Sequence, residues 1–198
     1  RQNQIKNNKK TNDLIKVFVE EILKFKKAHN IVGRFTKKEI ESLDIFDCEV
    51  ILEHISPEKK ILDIGSGAGL PGLVIAINQP RSQVTMSEKN KKKAYFIKKT
   101  IRTLKLSNAH VLDEAITSKT LIPQKFDIIT ARALAAAPKI IDLSEHLLSK
   151  NGKFLLMKGE LKKINEEVAQ LDNNTYSYVI HKKKTKDTNR HILEITQK

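Results

Sequence analysis

The run Asp63-Ile-Gly65-Ser-Gly67-Ala-Gly69-Leu-Pro-Gly72 is the densest concentration of chemical signal in the chain. Glycines spaced two apart let a backbone turn tightly with no side chains in the way, so a nucleoside-containing ligand lies directly on the main chain. Read from Gly67, the pattern is G-x-G-x-x-G, the dinucleotide fingerprint. Read from Asp63, it is D-x-G-x-G-x-G, the loop of S-adenosylmethionine methyltransferases. Both uses want an acid at the end of the next strand for ribose hydroxyls, and Glu88 stands there, 23 residues after Gly65. The acid Asp63 ahead of the glycines and their regular spacing favour S-adenosylmethionine, with a nicotinamide cofactor as the alternative. Asp63, Gly65, Gly67, Gly69 and Glu88 are therefore candidate cofactor residues. Gly67→Val or Gly69→Val is expected to fill the ligand's space without unfolding the protein.

Three basic side chains stand where a ligand on this loop would react. Arg132 closes the apolar run Phe126-Asp-Ile-Ile-Thr130-Ala131 at the carboxyl end of a central strand, where open α/β sheets bind ligands. Lys158, in Met157-Lys158-Gly159, has the same place after the next strand, and Arg190-His191 opens the last one. Arg132, Lys158 and Arg190 are the candidate catalytic residues. The acceptor is narrowed by what is missing. Thr130-Ala-Arg132-Ala replaces the Asn/Asp-Pro-Pro-aromatic motif common in amino-group methyltransferases. Cys48 lies in the N-terminal segment and reads as a small core residue, not as the nucleophile of pyrimidine C5 methylation. Acceptors that own a lone pair remain, guanine N7 among them. They need no general base, so catalysis is alignment and electrostatics. No metal is expected.

These residues need a scaffold, and the periodicities supply one. Residues 12–28 carry apolar side chains at three- and four-residue spacing, which predicts an amphipathic helix. Thr36 with Glu39 is a capping box opening a second helix through Ile40, Leu43, Phe46, Val50, Ile51 and Ile55, with a break near Asp44. Residues 1–58 thus read as a helical lobe, and 59–198 as the domain carrying the chemistry. In the latter, short apolar strands at 60–64, 83–87, 110–112, 126–130 and 152–157 alternate with helices beginning at Pro71 and spanning 90–105, 138–148 and 160–171. That alternation predicts an α/β fold with a mostly parallel sheet. Two late strands, 176–181 and 191–195, have no helix between them and predict an antiparallel edge pair.

The 198 residues include 37 Lys+Arg against 23 Asp+Glu, a formal charge of +14. The excess is local: residues 81–105 hold nine basic side chains and the single acid Glu88. A polyanion partner, most simply RNA, fits such clusters, with solvated lysine faces as the alternative. Lys91, Lys92, Lys93, Arg190 and His191 are the candidate RNA contacts, and the run His181–Lys186 is a basic hairpin loop. No stretch has the length and apolarity of a membrane span, the N-terminal stretch is polar, and one cysteine excludes an internal disulfide. The expectation is a cytoplasmic monomer.

With these residues in view, the chain resembles the bacterial small-subunit (16S) ribosomal RNA guanine-N7 methyltransferases, the family once called glucose-inhibited division protein B. The resemblance rests on Asp63–Gly72 with its Leu-Pro-Gly ending, Phe126-Asp-Ile-Ile-Thr-Ala-Arg132-Ala, Phe154-Leu-Leu-Met-Lys158-Gly159 and Arg190-His191, with Lys26-Lys-Ala-His-Asn30-Ile similar to that family's first-helix end. It implies a Rossmann-like class I S-adenosylmethionine-dependent methyltransferase sheet with an N-terminal helical lobe. S-adenosylmethionine would be the donor, and a guanine in the decoding-region stem-loop of 16S rRNA, free or in the small ribosomal subunit, the acceptor. By position it implies that Gly65 and Leu70 touch the cofactor, that backbone at Ala115 and Ile116 meets its adenine, and that Arg132 closes the site. Glu114-Ala115-Ile116 departs from the family's Arg-Ala-Glu, and its first-helix tryptophan is missing. These departures keep a non-catalytic RNA-binding assembly factor as a further alternative, beside a nicotinamide oxidoreductase.

Overall fold

The computed structural model describes residues 2–27, 29, 33, 36–184 and 189–198, with backbone alone for 2–8, 183, 184 and 189. Ala28, Asn30 and Ile31 of the helix-end motif, and Thr185 and Lys186 of the basic run, lie outside the described residues.

The apolar stripe of the first segment folds as α1 (Gln2–Lys26), in which Phe18 is the first buried side chain among those described. The capping box forms: Thr36 Oγ1 accepts the Glu39 N–H at 3.2 Å, and Glu39 Oε2 accepts the Thr36 N–H at 2.9 Å. It opens α2 (Lys37–Glu39), which runs into a π-helical turn (Ile40–Ile45), then α3 (Phe46–Glu49) and a 3-10 turn (Val50–His54). The break expected near Asp44 is this π turn. Its extra residue shifts the helix face by part of a turn, a distortion typical of functional sites.

Among the described residues seven strands follow: β1 (Lys60–Ile64), β2 (Gln83–Ser87), β3 (Ala109–Leu112), β4 (Phe126–Arg132), β5 (Leu148–Lys158), β6 (Tyr176–Lys184) and β7 (Asn189–Gln197). Their order across the single sheet is β3-β2-β1-β4-β5-β7-β6. All pairs are parallel except those of β7, which runs antiparallel to β5 and to β6. The expected hairpin thus caps one edge. The order reverses between β1 and β4, a topological switch point of the kind where α/β sheets open a crevice for ligands. Helices α4 (Gly72–Asn78), α5 (Lys91–Leu104), α6 (Ala137–Ser144) and α7 (Leu161–Val168) cross between the parallel strands.

Successive strand residues face opposite layers. Ile61 joins a cluster with Phe18, Ile22 and Ile51 of the helical segment, while Leu62 joins another with Ile129, Ile141 and Phe154. The two segments drawn at residue 58 therefore share the first cluster. Among the described residues, no helix is long and apolar enough to cross a membrane.

Candidate active site

The glycine loop is built on the ends of β1 and β2. The N–H groups of Gly65 and Ser66 donate to the Ser87 carbonyl at 2.9 and 3.0 Å, which clamps the loop to the neighbouring strand. Gly65, Gly67 and Gly69 all have positive φ (69°, 59° and 83°), a region that L side chains rarely adopt. The three differ in what a side chain would meet. A Cβ at Gly67 would have no atom within 4 Å and would project into open space, whereas one at Gly69 would collide with Leu73 Cδ1. The expectation that valine leaves the fold intact at either position is thus under different strain at the two: at Gly69 a side chain must also displace Leu73 of α4.

Glu88 follows β2 directly and reaches back over this open space. Its carboxylate accepts the Gly67 N–H at 2.8 Å and the Asn90 N–H at 2.7 Å. A ribose diol fits such an acid, since hydroxyls donate to a carboxylate as amides do. The open Cβ position of Gly67 and the adjacent Glu88 thus suit a nucleoside-bearing cofactor. Asp63 has a different place from the one expected. It is fully buried and its Oδ2 accepts the Gly72 N–H at 2.9 Å, so it pins the start of α4 from below instead of facing a ligand. Burial pushes its carboxyl up to about 6, against the hydrogen bonds from Ser66 and Gly72. Leu70 is buried beneath the loop, and Ile116 packs into the second cluster, so backbone is what these positions offer a ligand. Ala115 is exposed, and Ser87 Oγ ties the segment to β2 by donating to the Glu114 carbonyl at 2.7 Å.

A cleft of about 540 Å³ opens beside the loop, and Arg132, Lys158 and Arg190 all line it. At the end of β4 the chain turns sharply, with Ala133 at φ 52°. This sends Arg132 toward the helical lobe and returns Leu134 over Gly65, so Leu134 separates loop and cleft. Each basic side chain meets an acid. Arg132 Nη2 is 2.5 Å from Asp44 Oδ1, and its Nη1 is 3.6 Å from Asp47 Oδ2. Arg190 Nε is 2.7 Å from Asp47 Oδ1. Lys158 Nζ is 2.7 Å from Glu167 Oε2 and donates to the Ala135 carbonyl at 2.9 Å. Asp47 sits between two arginines, yet the cost of its burial dominates and raises its carboxyl above the usual range. Burial likewise pushes the Cys48 thiol up to about 12, so Cys48 is an inert core thiol.

The acids were not among the sequence candidates. A signal existed: Ile40, Asp44, Asp47, Cys48 and Ile51 form one helical stripe, and all five are buried. Carboxylates on a core-facing stripe demand cationic partners.

The expected RNA contacts divide. Lys91 and Lys92 are exposed and Lys93 half-buried at the start of α5, away from the residues lining the cleft. Lys91 Nζ donates to the Asp113 carbonyl at 2.7 Å. His191 is corrected: its ring is buried, and Nδ1 lies 2.6 Å from the Gly159 carbonyl, to which it donates. It braces the turn after Lys158 and, although it lines the cleft, is only 2% exposed. One further cluster of donors, His54, His181 and Glu194, lies within 4.8 Å on the β6–β7 side. There Lys153 Nζ already sits 3.2 Å from Glu194 Oε2, and the two rings stack with centroids 4.2 Å apart.

A family model described as rRNA small subunit methyltransferase G matches residues 11–193. The chain is 38% identical over 161 residues to the ribosomal RNA small subunit methyltransferase G of Cereibacter sphaeroides, covering 79% of this chain and 77% of that protein. It is 33% identical over 177 residues to the protein of the same name from Brachyspira hyodysenteriae, covering 88% and 85%. Among solved structures, the fold is similar to a precorrin-6y C5,15-methyltransferase from Geobacter metallireducens (TM-score 0.60, 16% identity, 86% of this chain and 92% of that one). It is also similar to a Streptococcus mutans protein in complex with SAH (TM-score 0.57, 9% identity, 77% and 96%).

Proposed function

Because the chain belongs to the rRNA small subunit methyltransferase G family, we propose that it transfers a methyl group from S-adenosylmethionine to N7 of a guanine in the 16S ribosomal RNA of the small subunit, acting in the cytoplasm as a single chain. The observation that carries this reading is the open glycine loop, overhung by Glu88, standing beside a cleft lined by Arg132, Lys158 and Arg190.

S-adenosylmethionine supplies a methyl group on a sulfonium, an electrophile that needs no acid to activate it. Gly65, Gly67 and Gly69 would give it a backbone floor, Glu88 would hold the ribose hydroxyls, and backbone at Ala115 and Ile116 would face the adenine. Leu70 and Asp63 would support that floor from beneath. On the acceptor side no residue has to take a proton, because guanine N7 carries its own lone pair. The acids at the cleft fit that role, since Asp44, Asp47 and Glu167 are each engaged with a cation. Methyl transfer to N7 leaves a cationic base, which bare guanidinium groups would oppose by Coulomb repulsion. Asp44 and Asp47 offset Arg132 and Arg190, so these arginines act by position and not by net field. Lys91, Lys92 and Lys93 would meet RNA phosphates farther out.

The test is transfer of a labelled methyl group from S-adenosylmethionine to free rRNA and to intact small subunits, with the modified base mapped. Label at N7 of one guanine is expected. Label on another atom, or binding of NAD in place of S-adenosylmethionine in parallel calorimetry, would overturn the reading.

A further inference from the structure

Arg132 and Arg190 come from strands on opposite sides of β5, yet one side chain of the helical lobe connects them. Asp47 gives Oδ1 to Arg190 Nε at 2.7 Å and faces Arg132 Nη1 with Oδ2 at 3.6 Å. Arg132 is committed further to the same lobe: Nη2 to Asp44 Oδ1 at 2.5 Å, and Nη1 to the Asp44 carbonyl at 3.3 Å. Both Nη groups of Arg132 therefore bind protein. Arg190 meets protein, among the described contacts, by this ion pair alone, a 2.7 Å approach in which its buried Nε–H makes no hydrogen bond, and its side chain keeps 29% exposure in the cleft. A guanidinium paired with a carboxylate on its Nε side keeps its two Nη groups for another ligand, and such a fork matches two oxygens of one phosphate.

We propose that Asp47 is a positioning residue for the acceptor RNA: it fixes Arg190 so that its Nη fork takes a backbone phosphate beside the target guanine, while Arg132 serves as the strut that holds Asp44 and Asp47 in place. The two cleft arginines thus have different tasks, although both end strands at the same side of the sheet. This rests on the methyltransferase reading above. Arg190 also borders an adjoining pocket with Lys158 and Lys163, where Glu167 pairs with Lys158 and Glu160 stands alongside. Asp47 itself sits too deep to meet RNA; its influence passes through Arg190.

Asp47→Asn keeps the size and one acceptor but turns an amide toward the guanidinium, which loosens Arg190. The experiment compares wild type, Asp47→Asn, Arg190→Lys and the double variant. It reads S-adenosylmethionine affinity by calorimetry, single-turnover transfer against small-subunit concentration, and hydrogen exchange of the Arg190 Nε–H by NMR. Asp47→Asn should raise the half-saturating RNA concentration at least tenfold, leave donor affinity within twofold, and speed Nε–H exchange. Arg190→Lys should show the same rise, because an ammonium on Asp47 has no fork left to offer. The double variant should be no worse than Arg190→Lys, since the acid acts through the arginine. Should Asp47→Asn fail to fold, Asp47→Glu, which keeps the charge but displaces it, takes its place in the comparison. Wild-type RNA saturation in either folded variant, or a loss of donor affinity in proportion to rate, overturns the proposal. A wild-type chain that transfers no methyl group overturns the functional reading instead, and the Nε–H exchange in Asp47→Asn still decides whether Asp47 holds Arg190.

Discussion

Glu88 supports the loop, and in the proposed function the same carboxylate would hold the ribose hydroxyls. Glu88→Ala should weaken S-adenosylmethionine binding by about 1.5–3 kcal/mol, the range of a lost charge-assisted hydrogen bond. Calorimetry reads this directly; unchanged affinity would put the ribose elsewhere. Asp63 yields a prediction of another kind. Its folded pKa of about 6 lies above the ordinary 3.8 because burial penalises the charge. The protonated form is thus the one the fold prefers. The stability it contributes is complete below about pH 4 and is lost as pH rises to about 6. A rise of that size corresponds to about 3 kcal/mol. Urea unfolding of the unliganded protein at pH 4 and pH 7 should show wild type losing that much more than Asp63→Asn, which does not titrate. Equal pH dependence of the two proteins would contradict it.

At the scale of elements, the loop between β1 and α4 separates conformational strain from steric clash. Gly67 and Gly69 both sit at positive φ, where an L side chain costs about 1–2 kcal/mol. Only Gly69 adds a collision, with Leu73 on α4. Gly67→Ala should therefore melt only slightly below wild type yet lose cofactor affinity, because its methyl group occupies the open space. Gly69→Ala should melt lower still. Thermal melts paired with calorimetry check both, and the reverse order of melting temperatures would mean that the loop is supported differently. The glycine spacing was plain in the sequence. The difference between the two glycines was not, since it depends on the angle at which α4 leaves the loop.

The whole molecule is held at the site by ion pairs joining the helical lobe to the sheet. Removing one partner of a largely buried pair strands the other charge, at a cost of about 3–5 kcal/mol. Arg132→Ala should lose stability in that range by urea denaturation, because Asp44 and Asp47 would both be left without it. A loss below about 1 kcal/mol would mean that the lobe holds to the sheet without this strut. The +14 charge makes a second global prediction. If about four to six phosphates of loop RNA are neutralised, log affinity should fall with log salt at a slope near −3 to −4. A flat response would leave the lysines merely solvated.

Local pattern determined much of this protein. Alternating short apolar runs and amphipathic stretches specified a parallel α/β sheet with a final hairpin, because burial on both faces and period-3.6 stripes are readable in single segments. The loop Asp63–Gly72 and the strand-end residues Glu88, Arg132, Lys158 and Arg190 were readable too, since strand ends at a switch point are where such chemistry sits. Tertiary structure alone decided what those residues do to one another. Arg132 meets Asp44 across 88 positions of sequence, a distance at which periodicity carries no information. The π turn at Ile40–Ile45 sets the face on which Asp44 and Asp47 emerge. His191 looked available beside Arg190, but its ring is buried and the Gly159 carbonyl claims its Nδ1.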